Sequence, residues 1–300
     1  MSENMPPYIP PPPSYPPPPP LPQKMPRRGW GWLRTLVVGI VLFIITTIVM
    51  FVTQNINLYP TVILIGNFLV PVVFVAFLYD HQHVSSVKPE TIAVSFCVGG
   101  ILGVLGASIF ESLLLPTPTG PSQGLSLGSA MLVGLIEEGC KIVAVMFLAR
   151  RWNHSSEMDG LLLGGAVGMG FAALESTGYA FTALLLSHGL ITSSIVETVI
   201  RGLLAPFGHG TWTAILGAVL FRESKSNRFR ITIPVILTYL FVSVLHAGWD
   251  GLPQTVYFVI PPGIPISLAV IVISVIGITG LVVVYRQAMR RIRQSGTLTL

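Results

Sequence analysis

Between Leu33 and Tyr285 the chain is a succession of apolar blocks, each close to the ~20 residues that an α-helix needs to cross ~30 Å of hydrocarbon. The blocks lie at about 34–53, 60–79, 91–114, 130–149, 160–185, 200–221, 231–250 and 266–285. In lipid a helix satisfies its own backbone polar groups, and blocks of this length fit helices. The predicted fold is therefore all-α, a polytopic membrane bundle of about eight transmembrane helices. Composition agrees, with 52% of residues hydrophobic and 10% charged, against ~25% charged in soluble domains. No soluble catalytic domain fits in what remains. The sixth block is the least regular, because Pro206 interrupts it and Glu197 with Arg201, spaced i,i+4, can begin it as an interfacial segment.

Basic residues give the orientation, since cytoplasmic loops collect Lys and Arg. With eight spans, one side receives Lys24, Arg27, Arg28 and Arg34, then Lys88, then Arg150 and Arg151. The same side receives Arg222, Lys225, Arg228 and Arg230, and finally Arg286, Arg290, Arg291 and Arg293. These are 15 of the 17 basic residues, and the opposite loops 54–59, 115–129, 186–199 and 251–265 contain none. Both termini of a multi-pass cell-membrane protein are thus expected in the cytoplasm, and an odd number of spans breaks the segregation. The net charge of +5 follows from this topology; no basic stripe interleaved with aromatics points to nucleic acid.

Residues 1–30 read as a disordered, Pro-rich cytoplasmic tail, with 13 of the 25 prolines before residue 27. It can dock a polyproline-binding partner and is assigned no chemistry. Trp30 and Trp32 among Arg27, Arg28 and Arg34 suit the headgroup level. The apolar run that follows is too long for a cleaved signal peptide and has no small-residue cleavage site after it. Residues 31–290 then form the transmembrane domain and 291–300 a short cytoplasmic tail.

Charges inside the spans are the chemical signal. Glu137, Glu138 and Lys141 lie in the fourth block and Glu175 in the fifth, and together they cost on the order of 10 kcal/mol if uncompensated. Such residues should face one another, water or a metal. Glu137 and Lys141 are i,i+4 and Glu138 and Lys141 i,i+3, so the ammonium can lie against either carboxylate. His209 and Thr213 are also i,i+4, as are His246 and Asp250. At ~1.5 Å per residue from the outer ends, Glu138 lies about 12 Å deep, Glu175 and His209 about 15 Å, His246 about 6 Å and Asp250 at the rim. One cavity in the outer half of the bilayer accommodates all of them. Glu111, His188, Glu197 and Arg201 read as plain interfacial charges. Cys97 and Cys140 fall inside apolar blocks and read as packing, without a disulfide framework or a CxxC site.

These residues resemble a known family, the PrsW-type intramembrane proteases, related to the prenyl-protein (CAAX) endopeptidase and bacteriocin-processing group. The family patterns EExxK, FxxxE and HxxxD match Glu137, Glu138 and Lys141, then Phe171 and Glu175, then His246 and Asp250, with His209 matching a further span histidine. The resemblance covers roughly residues 35–290 and implies a protease domain at 31–290. It further implies hydrolysis of a peptide bond in or near the membrane, in bacteria typically in a membrane-anchored regulator such as an anti-sigma factor. Glu138 or Glu137 would activate water, Lys141 would hold that pair ionised, and Glu175, His209, His246 and Asp250 would bind a metal or stabilise the oxyanion. No HExxH is present, so zinc is a candidate that no zincin motif assigns. The family is catalogued as metallopeptidases, whereas its CAAX relatives are discussed as glutamate-dependent. Two rival classes are a proton- or ion-coupled transporter and a non-catalytic membrane scaffold. A transporter tends to show matching halves, and the EExxK segment is not repeated in the other half.

Overall fold

In the first helix, α1 (Gly31–Thr53), the Trp32 N–H is satisfied from outside the helix, donating to Asp80 Oδ2 of α2 (Tyr59–His81) at 3.2 Å. This computed structural model describes residues 29–81, 85, 87–116, 125–151, 156–225, 228–252, 257–260 and 264–294. The Pro-rich stretch through residue 28, the C-terminal residues 295–300 and loop residues 117–124 lie outside them.

Next come α3 (Pro89–Val94), a π-helical turn at Ser95–Gly99 and α4 (Gly100–Leu114), which together form one crossing. Ser126 and Ser156 cap the two helices that follow, accepting from the N–H groups of Ser129 and Asp159. These helices are α5 (Leu127–Ala149) and α6 (Glu157–Leu186). After them come α7 (Ile191–Leu204), α8 (His209–Glu223), α9 (Ile233–Gly251) and α10 (Leu268–Gln294).

Among the described residues, seven segments are long and apolar enough to cross a membrane: Gly31–Thr53, Ile56–His81, Pro89–Leu114, Glu157–Leu186, Ile191–Glu223, Ile233–Gly251 and Leu268–Gln294. The helix α5 has the same length as α1, 23 residues, but carries Glu137, Glu138 and Lys141. With it there are eight long helical segments in the expected order, seven of them apolar enough to cross. Ile44, Ile48, Leu105, Ile109, Leu237 and Val275 stand exposed on their outer faces, as lipid-facing surfaces require and a water-soluble surface does not tolerate.

The sixth crossing departs from the simple helix expected at 200–221. It starts at Ile191, breaks in a 3-10 turn at Ala205–Phe207 and resumes at His209. Pro206 sits in the break, where its missing N–H and rigid ring stop the helix. The segment expected as a loop at 251–265 contains strand structure instead. Tyr257–Ile260 pairs antiparallel with Ile264–Ser267, in a register that sets Phe258 opposite Ile266.

The centre of the bundle is the pair α6 and α8. Residues 209–221 of α8 are buried throughout, as is the first half of α6. A Cβ at Gly164 would run into the Thr213 carbonyl oxygen, and one at Gly168 into that of His209. Small residues at helical spacing thus bring the two backbones into contact, the usual solution where lipid supplies no hydrophobic drive between helices. This approach carries His209 and Thr213 to the middle of the molecule.

Candidate active site

Lys141 is fully buried with 0% exposure. Its ammonium donates to Glu137 Oε2 at 3.0 Å, to Glu138 Oε1 at 2.8 Å and to His209 Nδ1 at 2.7 Å. The face of Phe171 closes the fourth side, 3.9 Å from Nζ to the ring centroid. All three ammonium protons therefore have acceptors, which is the condition for burying a charge in lipid.

The same contact fixes the neighbouring imidazole. An ammonium can only donate, so His209 Nδ1 accepts and its proton sits on Nε2. There it meets Glu175 Oε2 at 3.0 Å. Glu175 in turn receives Arg201 Nη2 at 2.8 Å, while Arg201 Nε donates to Ser176 Oγ at 3.2 Å and its guanidinium stacks 3.8 Å over Tyr179.

His246 of α9 completes the cluster. Its Nδ1 lies 3.1 Å from Glu138 Oε1, and its Nε2 lies 3.3 Å from Asp250 Oδ2 and 3.5 Å from Glu137 Oε2. Glu138 is engaged at both oxygens, since Thr213 Oγ1 donates to Oε2 at 3.1 Å. Behind the two imidazoles Trp212 forms an apolar shelf, with ring centroids 5.1 Å from His246 and 5.6 Å from His209.

All seven predicted residues thus fall into one connected network, drawn from α5, α6, α8 and α9. Their roles within it differ. Glu137, His209 and His246 each offer one ligand atom, these atoms lie within 4.8 Å of one another, and all three residues are buried. Two imidazoles and one carboxylate, buried together, are a donor set that suits a divalent metal. Glu175 and Asp250, expected among the ligands, have side chains 19% and 27% exposed. Asp250 shares His246 Nε2 with Glu137, whereas Glu175 stands at the His209 nitrogen turned away from Lys141, the place of a group that orients a ligand histidine.

One residue was misjudged at the level of sequence. Arg201 is no plain interfacial charge but is tied into the network through Glu175. The signal was available, because Arg201 and Lys141 are the two basic residues outside the tails and loops of the one basic-rich side, and a basic residue so placed needs a partner.

The pattern is shared more widely. A family model described as PrsW family intramembrane metalloprotease matches residues 88–278, from the start of α3 into α10. The chain belongs to the PrsW family of intramembrane metalloproteases. It is accordingly a peptidase and a multi-pass membrane protein whose substrate is a membrane protein. No curated protein and no solved structure matches it. Within the matched segment lie all seven residues of the PrsW network, and the proline-rich tail falls outside it.

Proposed function

We propose that this protein cleaves a membrane-anchored regulator, such as an anti-sigma factor, within or at the outer face of the bilayer. The observation that carries the reading is the convergence of Glu137, His209 and His246 from three helices, with ligand atoms within 4.8 Å of one another. Peptide hydrolysis needs an activated water, a polarised carbonyl and a proton for the leaving amine. Glu137, His209 and His246 would hold the metal, which would take the place of the Lys141 ammonium at Glu137 and His209 Nδ1, with zinc suited to this donor set. When bound, the metal supplies an acidified water and polarises the scissile carbonyl.

Glu137 is the residue for the water, because it retains 5% exposure while Glu138 has none and is engaged at both oxygens. With Oε2 facing the two imidazoles, its other carboxylate oxygen would accept the water's proton and pass it to the leaving amine. Lys141 fixes Glu137 and Glu138 one turn above it. Glu138 would orient His246 through Nδ1, and Glu175 would orient His209 through Nε2. The segregated basic residues support cytoplasmic termini and a catalytic cavity toward the extracytoplasmic side.

The test is proteolysis of a labelled single-span peptide by purified protein, with bound metal measured in parallel. Glu137→Gln should lower turnover by about 10² or more, and His246→Ala should lower bound metal as well. Reversible loss of activity on chelation is expected. Full activity of Glu137→Gln would overturn the assignment. Chelator-resistant cleavage by metal-free protein would leave a glutamate-activated water in place of the metal version.

A further inference from the structure

A cavity of ≈ 330 Å³ opens on one side of His209 and carries a charge that the catalytic network leaves unused. That volume lies at the lower end of the ~300–1,000 Å³ typical of ligand pockets. Its walls include Ile200 and Leu204 of α7, Trp249 of α9, and the pair Glu197 and Arg201. These two are i,i+4 on α7 and would ordinarily pair with each other. Arg201 turns away instead, spending its guanidinium on Glu175, Ser176 and Tyr179. Glu197 is left with no ion pair and no hydrogen bond among the described residues.

We propose that this cavity is the subsite for a lysine or arginine side chain of the substrate, next to the scissile bond, with Glu197 as its specificity-determining carboxylate. The proposal rests on the protease reading above and names the substrate feature that the enzyme selects. Ile200 and Leu204 offer apolar walls for the methylene stem. The Trp249 indole and the Glu197 carboxylate offer a π face and a counter-charge for the cationic head. The Arg201 charge is balanced by Glu175, so Glu197 sets the sign of the cavity. A neutral or acidic side chain in the same place leaves Glu197 without a partner in a partly desolvated cleft, which penalises the wrong substrate. The adjacency is direct, because His209 is itself part of the cavity wall.

The test uses the full-length protein and a set of single-span peptides in which one Lys is moved through the positions flanking the cut, with Gln and Glu at the same positions for comparison. At one position Lys should raise kcat/KM at least tenfold over Gln. The preference should disappear in Glu197→Gln and invert in Glu197→Lys, which should favour the Glu-bearing peptide. That inversion also shows that the variant folds. Less than a twofold effect of Lys at every position, or a preference that persists in Glu197→Lys, would overturn the subsite while leaving the protease reading intact. No cleavage of any peptide by the wild type would overturn both.

Discussion

Lys141 Nζ lies 2.7 Å from His209 Nδ1, although the two residues are 68 positions apart. This contact ties α5 to α8 and determines which nitrogen of His209 carries the proton. Removing the ammonium strands Glu137 and Glu138, which are 5% and 0% exposed. Lys141→Met should therefore destabilise the protein by about 3–5 kcal/mol, read as a lower unfolding midpoint in detergent. Adding Glu138→Gln to Lys141→Met should recover part of the loss, because it removes one stranded charge.

The two adjacent glutamates should separate by phenotype. Glu137→Gln is expected to lose turnover with little change in unfolding midpoint. Glu138→Gln disturbs contacts to Lys141, Thr213 and His246 at once, so its midpoint should fall along with turnover. Parallel melting curves and peptide cleavage assays distinguish the outcomes, and equal midpoints for the two variants would contradict the division of roles.

Gly168 gives a prediction that involves no catalytic side chain. A methyl group there meets the His209 carbonyl oxygen and also lies 2.9 Å from Thr213 Oγ1. Gly168→Ala should displace His209 and lower cleavage by at least tenfold. Gly178 lies on the same helix with nothing within 4 Å of its Cβ position, so Gly178→Ala should keep wild-type activity.

Orientation can be checked by thiol labelling in a variant with Cys97 and Cys140 replaced by Ala. A cysteine at Leu115 should react with an impermeant reagent added outside intact cells. One at Lys225 should react only after permeabilisation. The reverse pattern would invert the topology drawn from the basic residues.

Much of this architecture is legible in the sequence, because lipid imposes a length rule on every span and a penalty on every buried charge. The penalty led directly to Glu137, Glu138, Lys141 and Glu175, and helical spacing grouped His209 with Thr213 and His246 with Asp250. Spacing along one helix says nothing about partners on another. Arg201 illustrates this: its i,i+4 neighbour Glu197 suggests a local pair, yet the partner it takes is Glu175 of α6. Ligand geometry was similarly hidden, since whether Glu137 or Glu175 faces both imidazoles depends on how α5 sits against α8 and α9. The π-helical turn at Ser95–Gly99 was not legible either. There the Phe96 carbonyl packs against Gly170, a contact that no local pattern announces.

The close approach of α6 and α8 also has a mechanical meaning. With glycine at 164 and 168 against carbonyl oxygens, the two helices form one stiff piece that carries Glu175 and His209. A second piece forms where Gly134 of α5 meets the Ser243 carbonyl oxygen and His246 of α9. The network spans the seam between these pieces, and the Lys141–His209 and Glu138–Thr213 bonds stitch it. Any motion that parts α5 and α9 from α6 and α8 must break the Lys141–His209 and Glu138–Thr213 bonds, so the geometry of the site depends on these two rigid pieces staying in register.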